Sequence, residues 1–335
     1  MKSQFIMPEK VLDRKEIQRR LNSIRIKPEG LQPRKYGVSV KYFDGDNEKP
    51  TKRIDYKVIA EVKIEHGIGA ISINKEEVFF NQAEPDRFNE ILGAALSRSI
   101  YPVKVYYNEK GIASKEIINH KEISERWEKE KSAILEKYNS KSLDDFIQIA
   151  EEKLQNKDRL EKSLHNDWLW NLFFHPILMN YGERRSVENY LYLPIIPYQS
   201  PLRFHGIQTI EKIPTDYHSF KVNFESNELP APKYFYPKNS PDDAKYWMSL
   251  TVYFDSDVYH HFPMHIRAYF EVYSKDWEGK QVTERKIQFT MYQVGSEEYK
   301  GKILGDDSPF ITGGLVKLPP NKWGFDNFEK IENDW

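Results

Sequence analysis

The chain contains no cysteine, which removes disulfides, thiolate metal ligands and a cysteine nucleophile together. It has no apolar run near the roughly 20 residues that a spanning helix needs. Its start, MKSQFIMPEKVLDRKEIQRRL, lacks the apolar stretch and small-residue cleavage site of a secretory leader. Neither sign of charge dominates: 50 Lys and Arg stand against 51 Asp and Glu, so the chain as a whole has no bias toward polyanions. Familiar catalytic templates are missing too, since no G-x-S-x-G elbow, P-loop, G-x-G-x-x-G turn or H-E-x-x-H pair occurs. These absences predict a cytoplasmic protein, or one held within an assembled particle, with no membrane span, no cofactor and no nucleic-acid partner.

What is present is length, aromatic side chains and alternation. The 335 residues suffice for about two domains of roughly 150 residues each. Aromatics reach 14%, led by 21 Tyr. In residues 54–65, IDYKVIAEVKIE, the side chains Ile54, Tyr56, Val58, Ala60, Val62 and Ile64 share one face and mostly charged residues the other, the pattern of a half-buried antiparallel strand. Residues 70–80 read as its partner, 85–98 as a helix and 103–118 as a hairpin. Over 120–175 the period becomes helical, with three stripes: Ile123, Trp127, Ile134 and Tyr138; Leu143, Phe146, Ala150 and Leu154; Leu160, Leu164, Trp168 and Leu172. Three helices are predicted, the second opened by a capping box of Ser142 and Asp145. Alternation then returns, with strands expected at 206–213, 218–225, 246–255, 264–273 and 285–294.

The fold class is therefore α+β: two antiparallel β-rich halves with an inserted three-helix segment. The chain divides into a basic arm and helix (1–35), a β-rich part with one helix (36–118), a helical segment (119–180), a second β-rich domain (181–320) and an aromatic, acidic tail (321–335).

Three features carry chemistry. The stretch VYHHFPMHIRAYF holds His260, His261 and His265, but Pro263 prevents an uninterrupted helix from stacking the last two. In an extended chain, positions four apart lie roughly 13 Å from each other, too far for one metal. They are read as loop and polar-face histidines, and no metal site is expected. The arm has ten Lys and Arg against four Asp and Glu; Lys10, Arg14, Lys15, Arg19 and Arg20 surround a narrow apolar stripe and suit an acidic protein partner. The tail, NKWGFDNFEKIENDW, sets Phe328, Ile331 and Trp335 at helical spacing after Trp323 and Phe325, with four acids against two lysines, the composition of a docking peptide. Aromatic clusters Trp168/Trp170, Tyr190/Tyr192 and Tyr234/Phe235/Tyr236 read either as core or as a binding platform.

The leading expectation is a non-enzymatic protein–protein interaction or structural subunit of a bacterial or phage multiprotein assembly, secretion-machine or tail-like, that binds a protein partner or itself. A module holding a lipid or glycan in an aromatic-lined β groove is the second reading, and an uncharacterised hydrolase the third.

Overall fold

The computed structural model describes residues 33–65, 68–107, 113–197, 199–211, 219–241, 243–257 and 262–294. In chain order these form strands β1 (Arg34–Asp44), β2 (Lys52–Glu65) and β3 (Ile68–Phe80), helix α1 (Phe88–Ile100), strands β4 (Val103–Tyr107) and β5 (Ala113–Ile117), and helices α2 (His120–Leu135), α3 (Lys141–Leu154), α4 (Lys157–Leu164) and α5 (Trp168–Phe173). Strands β6 (Ser186–Leu193), β7 (Leu202–Ile210), β8 (Ser219–Pro230), β9 (Trp247–Asp257), β10 (Pro263–Lys275) and β11 (Gln281–Val294) complete them. The fold is mixed α+β and dominated by antiparallel sheet, as the periodicities predict.

Both β-rich stretches enter one eleven-stranded sheet of order β5-β4-β3-β2-β1-β11-β10-β9-β8-β7-β6. It consists of two meanders, β1 to β5 and β6 to β11, joined where β1 pairs antiparallel with β11 from Lys35↔Val294 to Asp44↔Arg285. Because β5 and β6 are the two outer strands, α2 to α5 carry the chain across the whole sheet. Ten strand gaps of about 4.8 Å make that roughly 48 Å.

The helices lie on one face, here called the inner face, and alternation explains which residues meet them. Tyr36, Val38 and Val40 of β1, Val58 and Ala60 of β2, Phe224 of β8, Leu250 and Val252 of β9, Ile266 and Phe270 of β10, and Phe289 of β11 are all buried. Helix α5, WLWNLF, is apolar at every position but Asn171 and sinks into this layer, with Trp168 stacked on Phe289 and Phe173 edge-on to Tyr36. At the other end, the connection from β8 to β9 closes the layer, where Phe235 packs on Phe270.

Two local expectations change. Helix α3 starts two residues earlier than a Ser142–Asp145 box implies: Ser140 is extended and its hydroxyl accepts from the Leu143 amide at 3.2 Å, leaving Ser142 inside the helix. The third predicted helix is two, α4 and α5, because Asp167 is extended and its carboxylate accepts from the Leu169 amide at 2.9 Å, starting a new helix.

Asp167 also serves the sheet. Its Oδ2 lies 2.6 Å from Lys75 Nζ of β3 and accepts from the Tyr101 hydroxyl at 3.3 Å, while the ammonium sits 4.2 Å from the centre of the Tyr56 ring. Burial, then the carboxylate's charge, pushes the Tyr56 and Tyr101 hydroxyls well above the ordinary tyrosine range. Removing one partner from such a pair leaves a charge among rings and also removes a cap. Asp167→Ala is therefore expected to cost about 2–4 kcal/mol in urea denaturation, and adding Lys75→Met should restore part of the loss. An Asp167→Ala protein as stable as wild type would show that the pair is dispensable.

Candidate functional site

The two edges of the sheet are finished differently. At β5 the edge is covered: the Ile117 amide donates to Glu161 Oε1 of α4 at 2.8 Å, and Lys157 Nζ lies 3.2 Å from Glu116. At β6 the strand SVENYLYL carries no Pro or Lys, the residues that blunt an exposed edge against further pairing. Its inner-face residues Leu191 and Leu193 are buried, whereas Tyr190 and Tyr192 on the outer face are 47% and 48% exposed.

The neighbouring strand extends this surface. Ile207 is 55% exposed on the same face, and Cα pairing sets Tyr190 beside His205 and Tyr192 beside Arg203. The Tyr190 and His205 rings are 4.9 Å apart, the Arg203 guanidinium lies 5.1 Å from the centre of the Tyr190 ring, and His205 Nε2 is 3.5 Å from Glu188. The result is an aromatic, cation-bearing strip at an edge with backbone groups to offer, the material of β-strand addition. Trp277, 91% exposed at the tip of the β10–β11 turn, is a second isolated aromatic.

Moving inward, the outer face changes character. On β1, Ser39 and Lys41 are 1% and 7% exposed, and Tyr292 of β11 is 2% exposed. The Tyr292 ring lies against Gly37, where a Cβ would come within 2.6 Å of its Cζ and hydroxyl oxygen. His265 falls on this face, as alternation predicts, with Asp255 and Tyr292 as cross-strand neighbours. It is buried, however, and not on a wetted polar face. Burial, reinforced by Arg267 and Lys221, lowers its pKa to about 3, so the imidazole is neutral. Asp255 moves the other way: burial raises it to about 6, against the Ser219 hydroxyl and Lys221. No group of three or more metal-ligating side chains is placed to hold an ion among the described residues.

A third polar cluster lies inside the helix-covered layer. His175 Nε2 donates to Gln208 Oε1 at 2.7 Å, Asn189 Nδ2 donates to the same oxygen at 2.9 Å, and Gln208 Nε2 donates to the Tyr181 hydroxyl at 2.6 Å and to the Pro176 carbonyl at 3.1 Å. Tyr181 donates in turn to the Ile177 carbonyl at 2.8 Å. Buried except for the half-buried Asn189, this cluster fastens the end of the helical crossing to β6 and β7 and serves structure.

Of the residues singled out from sequence, Lys10, Arg14, Lys15, Arg19 and Arg20, His260 and His261, and Trp323, Phe325, Phe328, Ile331 and Trp335 lie outside the described residues. Trp168 and Trp170 are core, Phe235 is core, and Tyr234 is 47% exposed. Ile207, Arg203 and Trp277 escaped notice because single exposed side chains have no sequence period. Among the described residues no helix is long and apolar enough to cross a membrane.

No protein-family model and no curated protein sequence matches the chain. A solved structure described as "Lipid-protein interactions in lipovitellin" is similar at a TM-score of 0.37 and 9% identity over 78% of this chain, which spans about a quarter (25%) of that protein's length.

Proposed function

We propose that this chain is a non-enzymatic structural subunit that joins a multiprotein assembly through the open β6 edge, in a bacterial or phage setting of the secretion-machine or tail-like kind. The observation that carries the reading is the contrast between the two edges: β5 is capped by α4, whereas β6 presents Tyr190 and Tyr192, with Ile207 of β7 beside them, to solvent. Large, rigid aromatic side chains at an interface lose little entropy on binding and commonly dominate its energy. The place of action is the cytoplasm or the assembled particle itself. The alternative of a lipid or glycan groove has less support, because Tyr253 and Tyr269, the aromatics at the centre of the outer face, are half-buried.

Tyr190→Lys combined with Ile207→Lys tests this. Both side chains are exposed, so stability should change by less than about 0.5 kcal/mol. Self-association by light scattering, or recovery of partners by pull-down, should fall at least tenfold. Unchanged association and unchanged partner recovery would remove the β6 edge from consideration.

A further inference from the structure

The backbone of β6 shows which of its groups face out of the sheet. The Ile210 amide donates to the Arg185 carbonyl at 3.0 Å, whereas the next residue, Ser186, sends its amide to the Tyr181 carbonyl at 3.2 Å. In an antiparallel pair, residues that bond to the neighbouring strand alternate with residues that point away from it. Carried along the register from Ser186↔Thr209 to Leu193↔Leu202, this alternation turns Val187, Asn189, Leu191 and Leu193 toward β7. The amides and carbonyls of Glu188, Tyr190 and Tyr192 are aimed out of the edge. The Tyr190 amide fits that assignment, donating to Asn189 Oδ1 at 2.8 Å. Among the described residues, β7 is the only strand beside β6.

The side chains of this edge complement a second copy of themselves. The strip carries both signs, with Glu188 on β6 and Arg203 on β7, and Tyr190 lies midway between the rows of Glu188 and Tyr192. A two-fold axis through Tyr190, perpendicular to the sheet, sets two β6 strands antiparallel and keeps outer face beside outer face. Tyr190 then meets Tyr190, and Glu188 meets Tyr192 of the other copy. Arg203, paired with Tyr192, comes within two strand spacings, about 10 Å between backbones, of that Glu188, a gap the two long side chains can bridge. The two Glu188 residues stand about 14 Å apart. Sliding the pairing by one step brings them to about 8 Å and calls on the Ser186 amide, which is already bound. Sliding it the other way sets Pro194, which has no amide, opposite Glu188. On the inner face the half-buried Val187 gains Leu193 of the second copy as a cross-strand partner.

We infer that β6 pairs antiparallel with β6 of a second copy of this chain, Tyr190 against Tyr190 on the two-fold axis, so that two eleven-stranded sheets run on as one. This rests on the reading of β6 as the joining edge and names the partner there. The outward groups of Glu188, Tyr190 and Tyr192 supply both sides of the new ladder, and the Tyr190 amide exchanges Asn189 Oδ1 for the Tyr190 carbonyl of the other copy. The contact is isologous, so it consumes both open edges at once. With β5 covered by α4 at each far end, sheet growth stops at two copies.

The unaltered full-length protein should sediment as a concentration-dependent dimer, and hydrogen exchange at the Glu188 and Tyr192 amides should slow at least tenfold as the dimer forms. Tyr192→Pro removes an outward amide and no bond to β7, an edge position of the kind that accepts proline. It should raise the dimer dissociation constant at least tenfold and leave the urea midpoint unchanged. The chain has no cysteine, so Glu225→Cys supplies a lone thiol for a nitroxide, exposed on β8 and outside the pairing surface. Glu225 pairs with Ile207, and Ile207 with Glu188, so pulsed electron spin resonance on the dimer should read one distance, with backbone positions about 28 Å apart. A dimer with a much longer distance, or one that Tyr192→Pro leaves intact, would overturn the inference. A chain that stays monomeric yet loses other partners on Tyr190→Lys with Ile207→Lys would overturn the second copy and keep β6 as the joining edge. A monomer whose partners are indifferent to those two changes would overturn both.

Discussion

Gly206→Val should cost well over about 3 kcal/mol, enough to leave little folded protein near room temperature. Gly206 sits on the inner face of β7, and a Cβ there would lie 2.3 Å from the backbone carbonyl oxygen of Glu225 and 2.8 Å from the Phe224 ring. A flexible side chain can move aside, but this oxygen belongs to the adjacent strand, and the Phe224 ring is packed in the core at 0% exposure. Overpacking in cores ordinarily costs about 1–3 kcal/mol, and displacing a strand that is also paired in register raises that figure. Urea denaturation measures it. Gly93→Ala is the matched control: Gly93 lies in α1 with nothing within 4 Å of a Cβ, so alanine should stabilise by about 0.5–1 kcal/mol. A Gly206→Val protein as stable as the Gly93→Ala protein would contradict the packing described for β7 and β8.

The second large effect is acid sensitivity centred on His175. Its ring is stacked 5.1 Å from that of Phe254 and faces Phe224, with Gln208 and Asn189 as its polar neighbours and no carboxylate among them. Burial lowers its pKa from 6.5 to about 4, with the Gln208 bond opposing. In the unfolded chain the same imidazole titrates near 6.5. As pH falls below 6.5 the unfolded state takes up a proton that the folded state refuses, so stability is full above 6.5 and is lost progressively toward pH 4. The loss amounts to about 3 kcal/mol. His265, lowered to about 3, adds in the same direction over a wider range, while Asp255, raised to about 6, works against both by favouring the folded state as pH falls through 6. His175→Phe should flatten the pH dependence between 6.5 and 4 by about one proton, at a cost near pH 7 of about 1–3 kcal/mol for the altered bonding of Gln208. Urea midpoints at four pH values in this range check it, and an unchanged slope would assign the acid sensitivity elsewhere.

The central strands were legible because each alternates cleanly: Phe220, Val222 and Phe224, or Met248, Leu250, Val252 and Phe254, face the helices while their neighbours face away. β6 and the start of β7 were not. Asn189 occupies an inner-face position in β6, where it binds Gln208 of β7, and a polar residue on the buried side cancels the period that would have revealed that strand. The break between α4 and α5 was hidden for the opposite reason, since Leu160, Leu164, Trp168 and Leu172 keep a helical spacing across it and are all buried. The candidate interaction strip was only half visible: Tyr190 and Tyr192 stood out as a pair, but whether they faced core or solvent depended on the strand's position at the edge of the sheet. The joining of β1 to β11 leaves no local trace at all, because its partners are some 250 residues apart in the chain.

That joining has a consequence in time. β1 ends at Asp44 and its partner β11 begins at Gln281, so 236 residues separate the two sides of the seam. At the usual rates of roughly 5–20 residues per second, about 10–50 seconds of synthesis pass between them. Throughout that interval β1 is an outer strand, and the first meander and its helices have to persist with a row of unsatisfied backbone groups that the finished protein does not show. The middle of the completed sheet is its youngest contact, and the strand that looks most protected in the mature fold is the one that waited longest for its neighbour.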